Sequence, residues 1–361
     1  MNQKLSRSAA SASAGAAVIS RLFYGLMVDA PEVHNGAWLS VLLGLGLSLP
    51  ALWLVQRASE KGRTLLMWGL MLAVGVDAAG MLEAAAFSES CIAFNHIPAP
   101  VLMLPLLLAA VRCLWLGGDA LGASARVWMR AFVPLLLVVI LCQWPCYRPA
   151  WIFPIFGFGM EGILRGGMRA AGWIVTIGGA AVALCDGTRL PKVFRSLSIA
   201  ALVAGLMILL RLMMAPAMDS AGMSRRVQLD ALLTNGRAPM VLQLPMIVVY
   251  FIGMLHLLCF ETWAAASLLH RVIPQTDGPL TGALILSAIA LMAILPLPVW
   301  PDTWRFPLLT LTALLPLGTV QKLFIQNAQD EFVSARRRRE AYRGTLTDDN
   351  AAMVDSDKHN V

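Results

Sequence analysis

Charge is what this chain has least of. Only 14% of its 361 residues are Asp, Glu, Lys or Arg, while 58% are hydrophobic and the mean hydropathy is +0.70. Soluble domains carry about 25% charged residues, so an ordinary soluble domain is excluded and a polytopic membrane protein is implied. Motifs of familiar enzymes are missing too: there is no Walker A loop, no GxSxG and no HExxH. The cysteines Cys91, Cys113, Cys142, Cys146, Cys185 and Cys259 form no CxxC pair, and no histidine stands close enough to Cys142 and Cys146 for a zinc pattern. No enzymatic activity, metal or cofactor is expected. Cys91 and Cys146 fall on one side of the membrane in the topology below, which leaves a bridge between them open.

What is present is a series of apolar runs. Ten reach the length needed to cross a hydrocarbon core of ~30 Å: 9–28, 36–55, 65–88, 100–116, 128–145, 168–185, 195–214, 240–269, 280–299 and 304–325. Basic residues alternate between the loops, diluted by Arg148, Arg165, Arg225, Arg226 and Arg237 in the two longest loops of the opposite side, where the rule is weaker. Lys4, Arg7, Arg57, Lys61, Arg63, Arg112, Arg126, Arg130, Arg189, Lys192, Arg195, Arg271, Lys322 and Arg336–Arg339 fall on one side, whereas loops Asp29–Asn35 and Glu89–Ala99 hold no Lys or Arg. The positive-inside rule then places both termini on the cytoplasmic face. The net charge of +7 follows this alternation, so membrane lipid is the expected partner and nucleic acid is not. Two domains are expected: a transmembrane domain 1–326, with halves of about 9–147 and 168–326, and a tail 327–361. The tail is basic at Arg336–Arg339 and then too polar to fold alone. Trp38, Trp68, Trp128, Trp144, Trp151, Trp300 and Trp304 lie near span ends, as in an interfacial belt.

Ionisable residues inside the spans are the candidates for function. Asp77 lies ~18 Å along its segment from Leu65, near mid-membrane, whereas Glu83 lies ~27 Å along, near the far interface. A charge at the centre costs about 2.5–3.5 kcal/mol on insertion scales, so Asp77 belongs inside the bundle or beside water. Arg21 sits at a similar depth in the first span, and the two are expected to pair directly or through water. His256 is intramembrane as well, ~24 Å into its helix, with a satisfied core histidine as the ordinary reading and Glu261 about 140° around the helix.

Two spans carry small-residue interruptions. Ser20-Arg21-Leu22-Phe23-Tyr24-Gly25 occupies the middle of the first, and Thr176-Ile177-Gly178-Gly179 the middle of the sixth. Counted as five plus five, these are the first helices of two halves, the arrangement that marks the solute site of many secondary transporters. Breaks are therefore expected at Ser20–Gly25 and Thr176–Gly179. The alternative use of these glycines is close helix packing. The candidate binding residues are Ser20, Arg21, Tyr24, Gly25, Asp77, Thr176, Gly178 and Gly179, with Glu83 and His256 as secondary candidates.

Several stretches resemble the spore-germination permease family, the membrane subunit of endospore nutrient receptors, within the amino acid–polyamine–organocation transporter superfamily. They are Ser20-Arg21-Leu22, Gly36-Ala37-Trp38-Leu39-Ser40, Leu116-Gly117-Gly118-Asp119-Ala120-Leu121-Gly122, Pro154-Ile155-Phe156-Gly157-Phe158-Gly159 and Leu242-Gln243-Leu244-Pro245. Ala180-Ala181-Val182 stands where such permeases commonly carry an acidic turn. The resemblance implies an all-α integral membrane protein of about ten helices in a five-plus-five inverted repeat, with broken first and sixth helices. It also implies a small polar nutrient, often an amino acid, bound between those two helices. The protein would act as a transporter or as a germinant-sensing receptor subunit beside partner subunits. The rival expectation is a non-transporting scaffold that docks such partners.

Overall fold

The computed structural model describes residues 6–26, 35–60, 64–92, 97–144, 147–157, 159–185, 191–214, 240–273, 278–294 and 307–308. By internal contacts the chain divides into one unit, Met1–Ala313, and another, Leu314–Val361, in which no residue is described. The described part of the first unit is all-helical: α1 (Arg7–Tyr24), α2 (Ala37–Glu60), α3 (Thr64–Ile92), α4 (Ala99–Leu116), α5 (Gly118–Gln143), α6 (Met160–Leu184), α7 (Pro191–Met214), α8 (Met240–Val272) and α9 (Gly278–Ile294). A short 3-10 turn, Pro149–Ile152, precedes α6. Seven of these helices, α2 to α8, contain stretches long and apolar enough to cross a membrane. Nine of the ten expected spans thus have a helix, and the tenth, with the tail, lies outside the described residues but for Pro307 and Leu308.

Local chemistry explains the ends. Ser6 caps α1, its hydroxyl accepting from the Ala9 N–H at 3.4 Å. Arg271, in the last turn of α8, donates to the carbonyls of Ala183 and Leu184, satisfying the buried C-terminal end of α6. Gly117 alone separates α4 from α5. Its φ of 80° suits glycine, and its N–H still bonds the Cys113 carbonyl at 3.0 Å. The stretch 118–127, expected as a loop, is therefore the first part of α5. Trp128 moves with it, from the expected interface to a buried site where its indole donates to the Val249 carbonyl at 3.3 Å and stacks on Phe132 at 4.8 Å.

Packing is built on small residues. α1 contacts α5, α6, α7 and α8. A Cβ on Gly15 would lie 2.8 Å from the Ser196 hydroxyl of α7, and one on Gly122 of α5 would lie 2.2 Å from Ala9. Between α2 and α6, Gly44 meets Ala170 and Gly167 meets Leu43. Every residue of α6 from Ala170 to Ala181 is buried, so the helix passes through the middle of the bundle. The outer faces of α4 and α5 instead present Leu104, Leu108, Val127 and Leu137 outward, as a lipid-facing surface does.

The sixth helix is not broken where expected. α6 runs unbroken from Met160 to Leu184, and the Thr176 hydroxyl bonds back to the Gly172 carbonyl at 2.8 Å. Gly178 and Gly179 serve packing: a Cβ on Gly178 would meet Leu197 at 2.7 Å and Leu52 at 3.0 Å, and one on Gly179 would meet Leu70 at 2.9 Å. In the first helix, Ser20–Tyr24 is regular α-helix, with Ser20 bonded to the Ala16 carbonyl at 3.1 Å. The geometry departs from α only at Gly25 and Leu26, which form a wider π-type turn.

Candidate functional site

Three helices converge on one charge pair. Arg21 of α1 and Asp77 of α3 are 5% and 1% exposed. Arg21 Nε donates to both Asp77 oxygens at 3.2 Å, and Nη2 donates to Oδ1 at 3.0 Å, a forked arrangement. The guanidinium also lies 4.3 Å from the centre of the Trp173 ring of α6, within reach of a cation–π contact of about 0.5–2 kcal/mol. Gly25, one turn beyond Arg21, makes that approach feasible, since a Cβ there would come within 2.5 Å of the same ring. The site therefore needs a glycine on α1 and a tryptophan on α6 at matching depth.

The physics of the pair is a balance of opposite charges taken out of water together. Each alone is costly in hydrocarbon, and the fork returns much of that cost as charge-assisted bonds. Arginine stays charged at any working pH, so it needs a permanent anionic or aromatic partner. Here it has one of each. The guanidinium thus lies between the Asp77 carboxylate and the planar face of Trp173. Trp173 is a site residue that sequence reasoning missed. Its signal is faint in the sequence, because Trp173 stands five residues inside the expected span 168–185. Only the longer helix Met160–Leu184 puts it near the centre, away from the interfaces where tryptophan collects.

The other candidates separate. Tyr24 is fully buried and reaches α8, its ring 6.3 Å from that of Tyr250. Ser20 faces a different direction from Arg21, beside Gly253, where an added Cβ would lie 2.7 Å from its hydroxyl. There it lines a cavity of about 40 Å³ with Phe23, Trp128, Met207, Tyr250 and Met254, room for about one water. Thr176 is one turn beyond Trp173, its hydroxyl turned to the helix backbone, while Gly178 and Gly179 contact leucines of α2, α3 and α7 rather than the pair. Glu83 is exposed on α3. His256 is buried on α8, with Nδ1 3.5 Å from the Ser124 hydroxyl of α5. Among the described residues no three His, Cys, Asp or Glu side chains gather as a metal site would require. Cys91 and Cys146 have no described side chains, so their bridge lies outside the described residues.

No known family's sequence profile matches the chain, and no curated protein matches it in sequence. Its structure is similar to that of Mhp1, a nucleobase-cation-symport-1 family transporter solved in a closed conformation with bromovinylhydantoin bound. The TM-score is 0.53 at 11% identity, over 86% of this chain and 76% of that one. The chain shares the fold of that transporter, and at 11% identity the likeness is one of architecture alone.

Proposed function

We propose that the protein is a permease-like membrane protein that binds a small polar nutrient, an amino acid in the first instance, at mid-membrane between α1, α3 and α6. It works as a transporter or as the nutrient-sensing subunit of a germinant receptor, in a bacterial inner membrane with both termini cytoplasmic. The observation that carries this reading is the buried Arg21–Asp77 fork under Trp173, inside a transporter fold. An intramembrane ion pair facing a bundle interior marks a solute or ion path by default, and an arginine that can trade carboxylates suits a zwitterionic solute. Solute uptake into proteoliposomes, screened with labelled amino acids, nucleosides and sugars, tests it. Uptake lost in Arg21→Met and in Asp77→Asn supports the reading, and uptake unchanged by both removes it.

A second reading is a non-transporting scaffold that docks partner subunits. The close packing of α6, unbroken through Thr176–Gly179, favours it, because such a helix has little room to rock. A protein that shows neither uptake nor ligand-dependent stabilisation with any of the three solute classes would belong to this class.

A further inference from the structure

Four polar side chains of α8 with buried polar atoms fall on one face, whereas the buried Glu261 and Thr262 lie on others. At about 100° per residue, Trp263, Ser267 and His270 lie within roughly 40° of the direction of His256, along ~21 Å of helix. His256 is 6% exposed, and Trp263 and Ser267 are completely buried. His256 Nε2, Trp263 Nε1, Ser267 Oγ and His270 Nδ1 each lack a hydrogen-bond partner among the described residues. An unmade buried hydrogen bond costs about 1–3 kcal/mol, so four along one face call for a shared partner. Water is the partner small enough to serve all four.

His256 also stands at a junction. Its Nδ1 is 3.5 Å from Ser124 Oγ of α5, and the main chain of Ser13 on α1 lies against the ring. The Ser13 hydroxyl is itself buried with no partner among the described residues. The cavity lined by Ser20, Tyr250 and Gly253 begins about one turn away along α8. On the elements packed against α8, Arg169 of α6 and Glu89 of α3 are half-buried, and other described ionisable groups are engaged elsewhere or exposed. Arg21 holds Asp77, the free thiols of Cys113 of α4 and Cys259 are hydrogen-bonded to each other, and Glu161 of α6 pairs with Arg165. Asp119, Arg126 and Arg130 of α5 are exposed, and α9 carries no ionisable residue. Glu261, buried on α8 itself, lies about 140° around the helix from His256.

We propose that His256 is a proton-binding site, reached from the Arg271 end of α8 by a file of water along the His270, Ser267 and Trp263 face. A proton passed along that file is accepted by Nε2 and leaves the ring as an imidazolium, with both nitrogens donors. The ring's bonding to Ser124 and Ser13 then changes with its charge, and Ser13 sits on the same helix as Arg21. The site is separate from the Arg21–Asp77 pair and does not depend on which solute, if any, binds there.

Histidine C2 hydrogen–deuterium exchange, followed by mass spectrometry on the full chain in lipid nanodiscs, reads the protonation and water access of each ring directly and needs no solute. The expected result is exchange at His256 with a sigmoidal dependence on pH. It should slow by roughly an order of magnitude in Ser267→Leu while His270 is little changed. Ser267→Val and Trp263→Phe, milder changes on the same face, should slow it in the same direction and serve if Ser267→Leu does not fold. No exchange at His256 at any pH while His270 exchanges would overturn the proposal. So would a His256 rate indifferent to all three substitutions.

Discussion

Separating Arg21 from Asp77 should reveal the worth of the fork, and the two halves should not be equivalent. Asp77→Asn keeps the shape of the side chain but removes the anion from a guanidinium that bonds it through Nε and Nη2 at 3.2 and 3.0 Å. Arginine has no route to neutrality, so the variant strands a buried cation, and the loss should approach the 3–5 kcal/mol typical of a broken buried pair. Arg21→Met strands the carboxylate instead. That group can take up a proton and become neutral, so the loss should be smaller, about 2–3 kcal/mol, and should shrink as pH falls. The double variant, with no charge left, should be more stable than Asp77→Asn alone. Unfolding of all four proteins in mixed micelles gives the cycle, and a coupling of at least ~2 kcal/mol is expected. Additivity within about 0.5 kcal/mol would mean that the two side chains do not interact.

Gly25→Ala would place a methyl 2.5 Å from the Trp173 ring, and overpacking of that kind costs about 1–3 kcal/mol. Gly80→Ala, with nothing within 4 Å of the added carbon, should instead be neutral or stabilise by up to ~1 kcal/mol. The same denaturation assay compares the two, and equal effects would refute the close approach. Arg165→Ala removes an i,i+4 partner of Glu161 whose side chains are 57% and 77% exposed. It should leave stability within about 0.5 kcal/mol, checked by the shift in melting temperature. A single cysteine at position 61 should react with impermeant thiol reagent only from the cytoplasmic side, and labelling from outside would overturn the topology.

How much of the fold and the site is legible in the sequence depends on how many uses each residue type has. Arg21 and Asp77 can be paired from the sequence alone because an ionisable side chain in a long apolar run has few tolerable places, and a rise of about 1.5 Å per residue puts both at one depth. Gly178 and Gly179 mislead because glycine serves a broken helix and a close-packed one equally. Only the leucines of α2, α3 and α7 that press on them decide the matter. Trp128 misleads because hydropathy sets the start of α5 too late. Gly118, where the helix begins, is followed by Asp119, Ser124 and Arg126, which dilute that signal. The polar face of α8 is half visible: His256 stands out, but its alignment with Trp263 and Ser267 becomes significant only once their buried atoms are seen to lack partners among the described residues.

The central claim is that Arg21 belongs to a binding site for a small solute. It is tested most directly by thermal stabilisation of the purified protein against amino acids, nucleosides and sugars, with Arg21→Met measured in parallel. At a concentration of 100 times Kd a ligand contributes about 2.7 kcal/mol, a rise of several degrees for a protein of this size. The account predicts such a rise with at least one carboxylate-bearing solute, abolished in Arg21→Met while that variant's own unfolding stays cooperative. A rise of the same size in Arg21→Met, or none with any of the three classes, would contradict it.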